Sequence, residues 1–188
     1  MSRRLVFSAD VVARLRARDE LAYRELFEQA WTPLTAIAVA IVQSHDVAQD
    51  VVQGVMIRLW NQAEHLTLHG ELSDYLVVAV RNAALTALRN DGRLRDRKER
   101  MTATQSETIL PHALPADAGL EWADEMTKLR HVFGTLTEHQ RTAFVLRYGQ
   151  GMTNAEIARV LGISLKGAEQ LTARVTKIVR ERFLDPPV

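Results

Sequence analysis

The stretch Thr153-Asn-Ala-Glu-Ile-Ala-Arg-Val-Leu-Gly-Ile-Ser164 decides the fold of the C-terminal half. Thr153 and Glu156 stand in capping-box register, so a helix starts there and runs over Ala155–Leu161. Gly162 supplies the positive φ that a tight inter-helix turn needs, Ile163 plugs the core, and Ser164 caps a longer helix through Arg182. Upstream, Thr137 and Gln140 form another capping box and open a helix carrying Ala143, Phe144, Leu146 and Tyr148, closed by Gly149-Gln-Gly151. A short helix, a glycine turn and a longer polar helix make a helix-turn-helix, whose second helix is the one that enters a DNA major groove. Lys166, Glu169, Gln170 and Arg174 fall on the outer side of that helix, polar groups suited to base edges and phosphates. The basic residues Arg174, Lys177, Arg180 and Arg182 come late, which predicts weak DNA affinity for this half alone.

Working outward, the pattern vanishes between about Met101 and Gly119, where Thr, Ser and Ala dominate and Pro111 and Pro115 punctuate. This reads as a flexible, semi-extended linker. Helical spacing resumes at Leu120 and passes through Trp122, Met126, Leu129 and Phe133. Before the linker, Leu21, Leu26, Phe27, Ala30 and Trp31 mark one helix, and Pro33 suits the start of the next. Leu34–Val42 is apolar nearly all round, as a central bundle helix should be. Asp46, with Gln49 three residues on, reads as an N-cap for a helix carrying Val51, Val52, Val55, Leu59 and Trp60. Ser73 can cap a further helix with Leu76, Val80, Ala83, Ala84, Ala87 and Leu88, stopped at Asp91-Gly92. The expected fold is all-α: an N-terminal helix bundle over 1–98, a linker over 99–119 and a helix-turn-helix domain over 120–188.

Composition narrows the function. The 188 residues hold 24 Lys plus Arg against 23 Asp plus Glu, so the chain is no general polyanion binder. Its basic residues nevertheless cluster at Arg89–Arg100 and at the C-terminus. With no cysteine, a disulfide framework, a Cys-ligated metal and a thiol nucleophile are excluded. The longest apolar run, Ala36–Val42, is far short of the roughly 18 residues that cross a bilayer, and the N-terminus turns polar at Ser8. The expectation is a cytoplasmic protein without membrane insertion.

Two further segments carry a resemblance. Val47-Ala-Gln-Asp-Val-Val-Gln-Gly-Val-Met-Ile-Arg-Leu-Trp60 is similar to the D-A-E-D-x-V-Q-E-V-F-x-x-L-W segment of bacterial RNA polymerase sigma factors of the extracytoplasmic-function (ECF) group within the sigma-70 family. Tyr75-Leu-Val-Val-Ala-Val-Arg-Asn-Ala-Ala-Leu-Thr-Ala-Leu-Arg89 resembles their W/Y-L-x-x-x-A-R-N-x-A-x-x-x-L-R. Leu136–Arg141 resembles L-P-E-x-x-R, and Ala155–Ser164 resembles E-E-I-A-x-x-L-G-I-S.

The resemblance implies a transcription initiation factor, not an enzyme, without metal or other cofactor. Residues 1–98 would be sigma region 2 and 120–188 sigma region 4. Asp50, Gln53, Arg58 and Trp60 would face core RNA polymerase, through its β′ and β subunits. His69, Tyr75, Arg81, Asn82 and Arg89 would meet the minus-ten promoter element, the loop Ala63–Glu71 forming a pocket for a flipped base. Thr153, Ser164, Lys166, Glu169, Gln170, Arg174 and Lys177 would meet the minus-thirty-five element. An anti-sigma factor is the implied regulatory partner. Trp60 and Tyr75 also fit a plain core role.

Departures from the pattern carry expectations of their own. Gly54 and Gln49 leave the polymerase-facing helix less acidic. Val77 and Val78 thin the DNA-facing side of the melting helix, and Ala168 and Thr172 loosen the recognition helix.

Other function classes fare worse. His65 and His69 are four apart but lack an H-E-x-x-H arrangement, and His45, His112, His131 and His139 are scattered. Neither a phosphate-binding glycine loop nor a G-x-S-x-G elbow occurs. A stand-alone helix-turn-helix regulator of the LuxR type shares E-I-A-x-x-L. It would need strong autonomous DNA binding and a dimerisation surface, and no coiled-coil heptads are present.

Overall fold

The computed structural model describes residues 5–8, 10–68, 70–98 and 131–184, the side chains of 91–98 and 183–184 excepted. Every element among the described residues is helical. In chain order they are α1 (Val11–Arg16), α2 (Glu20–Val42), α3 (His45–Asn61), a 3-10 turn (Ala63–His65) and α4 (Leu72–Lys98). After the undescribed segment, a helical stretch over 131–135 leads to α5 (Glu138–Phe144), α6 (Asn154–Leu161) and α7 (Leu165–Val179). The linker and the helical spacing of Leu120–Leu129 lie outside the described residues, as does His69.

The hub is α2, which packs against α3 and α4. Its second half, Leu34 to Ile41, is buried except for Ala36, as expected of a central helix. Pro33 does not begin a new helix; it lies inside α2. Proline forfeits one hydrogen bond and crowds the preceding turn, but the buried residues on both sides hold the helix through it. Leu21, expected on the apolar face, is instead 56% exposed near the N-terminus of α2, where Asp19 supplies the cap by accepting from the Leu21 and Ala22 amides.

Local signals fixed several other helix ends differently. Ser44, not Asp46, caps α3, its Oγ accepting from the Val47 amide, so Asp46 falls in the first turn, where its charge suits the helix dipole. Ser73 lies one residue inside α4, which begins at Leu72. Nor does Asp91-Gly92 stop that helix, which continues to Lys98. An interior glycine costs only about 1 kcal/mol against alanine, and the Arg and Lys residues that follow favour a helix C-terminus.

In the C-terminal half both capping boxes form as read. Gly162 sits at φ 69° between α6 and α7, and Ser164 caps α7. A π-helical turn, Val145–Gly149, follows α5 and brings Leu146 fully inside. Ile163 packs half-buried against the core.

The two halves are not separate bodies. The buried residues form one continuous apolar cluster from Leu5 to Val175. α5 and the π turn pack on α2, and α6 on α4. Arg141, on α5, is buried; its Nε donates to the Ala40 carbonyl at 2.7 Å and its Nη1 to the Leu136 carbonyl. Burial presses this guanidinium below its ordinary pKa, opposed by the nearby Glu138 charge. A second link between the halves is the pair of Arg159 on α6 with Asp74 in the first turn of α4, at 3.3 Å.

Candidate nucleic-acid and partner interfaces

The amphipathic split of α7 creates the first surface. Ala168, Thr172 and Val175 recur at i, i+4 and i+7 and are buried. Lys166, Glu169, Gln170, Arg174 and Lys177 therefore all point outward, and all are exposed. Lys177 pairs with Glu181 at 3.6 Å, both well exposed, a contact worth little that leaves the ammonium available. Thr153 and Ser164 begin α6 and α7 on this side, but their hydroxyls are committed to caps. Thr153 Oγ1 accepts from the Glu156 amide at 3.3 Å and Ser164 Oγ from the Gly167 amide at 3.1 Å.

The small residues expected to loosen this helix do the opposite. Ala168 is wholly buried, allowing close approach. Thr172 Oγ1 lies within hydrogen-bond reach of the Ala168 carbonyl (2.9 Å) and of Asn154 Oδ1 (3.1 Å), a polar tie between α6 and α7. Tyr148 OH and Thr176 Oγ1, 2.8 Å apart, fasten the π turn to the same helix.

A second surface runs along α3. Val52, Val55, Met56 and Leu59 turn inward, which leaves Asp50, Gln53, Gly54, Ile57 and Arg58 exposed together. Ile57 is 50% exposed, an apolar spot in a polar strip. Trp60 stands at the margin of this strip, half-buried, its ring 4.9 Å from Tyr23 and under the Arg18 guanidinium at 5.2 Å. Tyr23 continues to Phe27 and Phe27 stacks on Trp31, so an aromatic row crosses the outer side of α2. With Glu20, Arg24 and Glu28, the rings of Tyr23, Phe27 and Trp60 line a groove of about 580 Å³. Sequence reading missed the row, because it took Phe27 and Trp31 as part of the helix's apolar pattern and did not single out Tyr23.

The third surface is the start of α4. Asn82 and Arg89 are exposed, while Tyr75 and Arg81 are half-buried. Arg81 Nε and Asp74 Oδ1 are buried without a hydrogen-bond partner. Val77 is buried in the core, so its small size takes nothing from an outer face; Val78 is half-buried. Ahead of α4, the loop carrying the 3-10 turn is held by two arginines that sequence reading did not single out. Arg16 donates twice to the Leu66 carbonyl, and Arg18 reaches both Glu64 and the Trp60 carbonyl. Among the described residues there is no group of His, Cys, Asp and Glu fit to hold a metal, and no helix is long and apolar enough to cross a membrane.

Comparison with known proteins follows the same division. Residues 26–94 match the family model for sigma-70 region 2, and residues 126–177 match that for sigma-70 region 4. The "Probable RNA polymerase sigma factor RfaY" of Xanthomonas campestris pv. campestris is 24% identical over 163 residues, which cover 87% of this chain and 40% of that protein. The "ECF RNA polymerase sigma factor SigJ" of Mycobacterium tuberculosis is 29% identical over 163 residues, 81% of this chain and 48% of that one. The chain thus spans less than half the length of these curated relatives. In fold it is similar to the sigma factor RpoE of Bartonella quintana, solved with the anti-sigma factor NepR, at a TM-score of 0.69 and 20% identity, over 88% of this chain and 98% of that one. CnrH, solved with the cytosolic domain of CnrY, gives a TM-score of 0.64 at 20% identity, over 95% of this chain and 97% of that one.

Proposed function

Because this chain belongs to the sigma-70 family of RNA polymerase sigma factors, in its ECF group, we propose that it binds core RNA polymerase and directs it to promoters with two elements. The observation that carries the reading is the coexistence of two exposed polar faces on separate halves, the α3 strip and the outer side of α7. In this reading Asp50, Gln53 and Arg58 dock on the polymerase, with Trp60 at the edge of the contact. Tyr75, Arg81, Asn82 and Arg89, together with His69, serve the minus-ten element. Lys166, Glu169, Gln170, Arg174 and Lys177 serve the minus-thirty-five element, with Thr153 and Ser164 at the helix starts beside it. Bond-making falls to the polymerase; this chain contributes binding energy, which offsets the few kcal/mol needed to unstack each extruded base. An anti-sigma factor is the natural regulatory partner, supported by the complex in which the Bartonella quintana relative was solved.

Run-off transcription tests the proposal, using purified bacterial core polymerase and the DNA upstream of this protein's own gene. Discrete transcripts that depend on the protein are expected, and Asp50→Ala with Gln53→Ala should abolish core binding without loss of helical content. Core binding retained in that double variant would refute the docking assignment. Tight duplex binding with no core binding would favour a stand-alone helix-turn-helix regulator, a reading that leaves residues 26–94 without a role.

A further inference from the structure

From the contacts of the turn between α1 and α2, we infer that Arg16 and Arg18 are positioning residues for promoter melting: they fix the loop that leads into α4. The inference deepens the proposed function and rests on it.

The segment 60–68 has little to hold it by itself. It leaves α3 through Gln62, makes one 3-10 turn and then runs on as loop through Leu68. Backbone carbonyls at a helix end and in a loop need partners from elsewhere. They come from far back in the chain. Arg16 places Nε at 3.1 Å and Nη2 at 2.6 Å from the Leu66 carbonyl. Arg18 places Nη1 at 2.6 Å from the Trp60 carbonyl and Nε at 2.7 Å from Glu64, holding the Glu64 carboxyl below its ordinary pKa. Both ends of the segment are therefore pinned by one turn, and planar guanidinium forks fix direction as well as distance.

The backbone of that turn is a second, independent observation. Arg18 has φ 59°, the left-handed region that a side chain with a Cβ enters at a cost. Nothing local requires an arginine there, and a glycine would sit without strain. Its guanidinium is what repays the strain, through Glu64, the Trp60 carbonyl and the Trp60 ring. Strain of this kind persists where the surroundings over-determine the conformation, and it collects at functional sites. The same N-terminal arm then walls a cavity of about 610 Å³: Leu5, Phe7 and Val11 face Leu68, Leu72 and Ser73 across it. The segment around Leu5–Val12 thus lines one cavity with the end of the loop and the first residues of α4.

Arg18→Gly separates a positioning role from a structural one. It relieves the backbone strain while deleting the clamp, so stability and function should move apart. Both Arg18→Gly and Arg16→Met are assayed with core polymerase on the promoter found by run-off. The promoter is used as intact duplex and with a mismatched bubble over the minus-ten element, and opening is read by permanganate reactivity. The melting temperature of Arg18→Gly is expected to equal or exceed that of the unaltered protein, and core binding is expected to be intact in both variants. Open-complex formation on duplex should fall roughly 10- to 100-fold, a typical cost of misplacing a site by an ångström, and recover on the bubble.

Duplex opening within roughly twofold of the unaltered protein in both variants would overturn the inference, as would equal losses on the two templates. If Arg16→Met does not fold, Arg18→Gly decides alone. An unaltered protein that opens no promoter refutes the proposed function and this inference together, whereas normal opening by the unaltered protein and both variants refutes only the inference.

Discussion

Arg141→Met tests what holds the halves together. In the folded chain the Arg141 guanidinium is buried, donating across the domain boundary to the Ala40 carbonyl and within its own half to the Leu136 carbonyl. A hydrogen bond from a charged donor contributes about 1.5–3 kcal/mol. Removing a buried charge also returns part of its desolvation cost, and methionine fills a similar volume, so little cavity energy enters. The expected net loss is about 2–3 kcal/mol, of which the Ala40 bond accounts for about 1.5 kcal/mol, or tenfold in the ratio of docked to undocked halves.

The chain has no cysteine. Asn61→Cys and Ala173→Cys, at exposed positions on α3 and α7, can therefore carry a dye pair without further change. Energy transfer in the free protein should report one short distance, and Arg141→Met should add a long-distance population while far-UV circular dichroism stays unchanged. The distances matter to the proposed function. A compact chain of this length is about 40 Å across, whereas elements centred 25 base pairs apart lie about 85 Å apart on B-form DNA. On the proposed function a docked chain would not reach both, so the halves would have to part on the promoter. An unchanged docked fraction with a lowered melting temperature would place the whole effect of Arg141 inside its own half. No change in either quantity would refute the energetic reasoning itself.

Three smaller perturbations follow from the same contacts. Thr172→Val keeps the shape but loses the hydroxyl that ties α7 to Asn154; a loss of about 1 kcal/mol in urea unfolding is expected, and a gain would show that the tie is strained. Ser164→Ala removes the cap of α7 and should cost about 1 kcal/mol, read as a lower melting temperature. Asp19 accepts from the Ala22 amide and pairs with Arg14, and these hold its carboxyl below the ordinary range. A carboxyl lowered on folding stabilises above its unfolded value and loses that contribution as pH falls, so stability should decline below about pH 4. Glu64, lowered chiefly by its bond to Arg18, acts in the same direction. Asp19→Asn should flatten the acid limb of the stability profile, and an unchanged limb would contradict the assignment.

What could be read from the sequence, and what could not, divides by range. The caps at Thr137, Thr153 and Ser164 and the turn at Gly162 were legible because each is settled within four residues by its own backbone. The ends placed wrongly, at Pro33, Asp46, Ser73 and Asp91-Gly92, are those where packing or a competing cap outweighed a local signal of about 1 kcal/mol. The outward set on α7 followed from helical period and that on α3 from the family resemblance, and the structure leaves those side chains exposed, Trp60 excepted. Nothing local announced that Arg141 would reach a carbonyl 101 residues away, or that Arg16 would reach one 50 away. Such contacts depend on which helices meet, which periodicity does not encode.

The same distinction explains Trp60. Its place at the end of a motif suggested a docking side chain, and its size suggested core. The structure gives it a third position: half-buried, flanked by Tyr23 and roofed by Arg18. An aromatic ring under a guanidinium fixes the charge above it as much as the charge fixes the ring. Trp60 therefore links the exposed strip of α3 to the Arg18 clamp on the following loop. Trp60 itself borders both surfaces, so Trp60→Leu should lower both core binding and promoter opening, where Gln53→Ala lowers core binding alone.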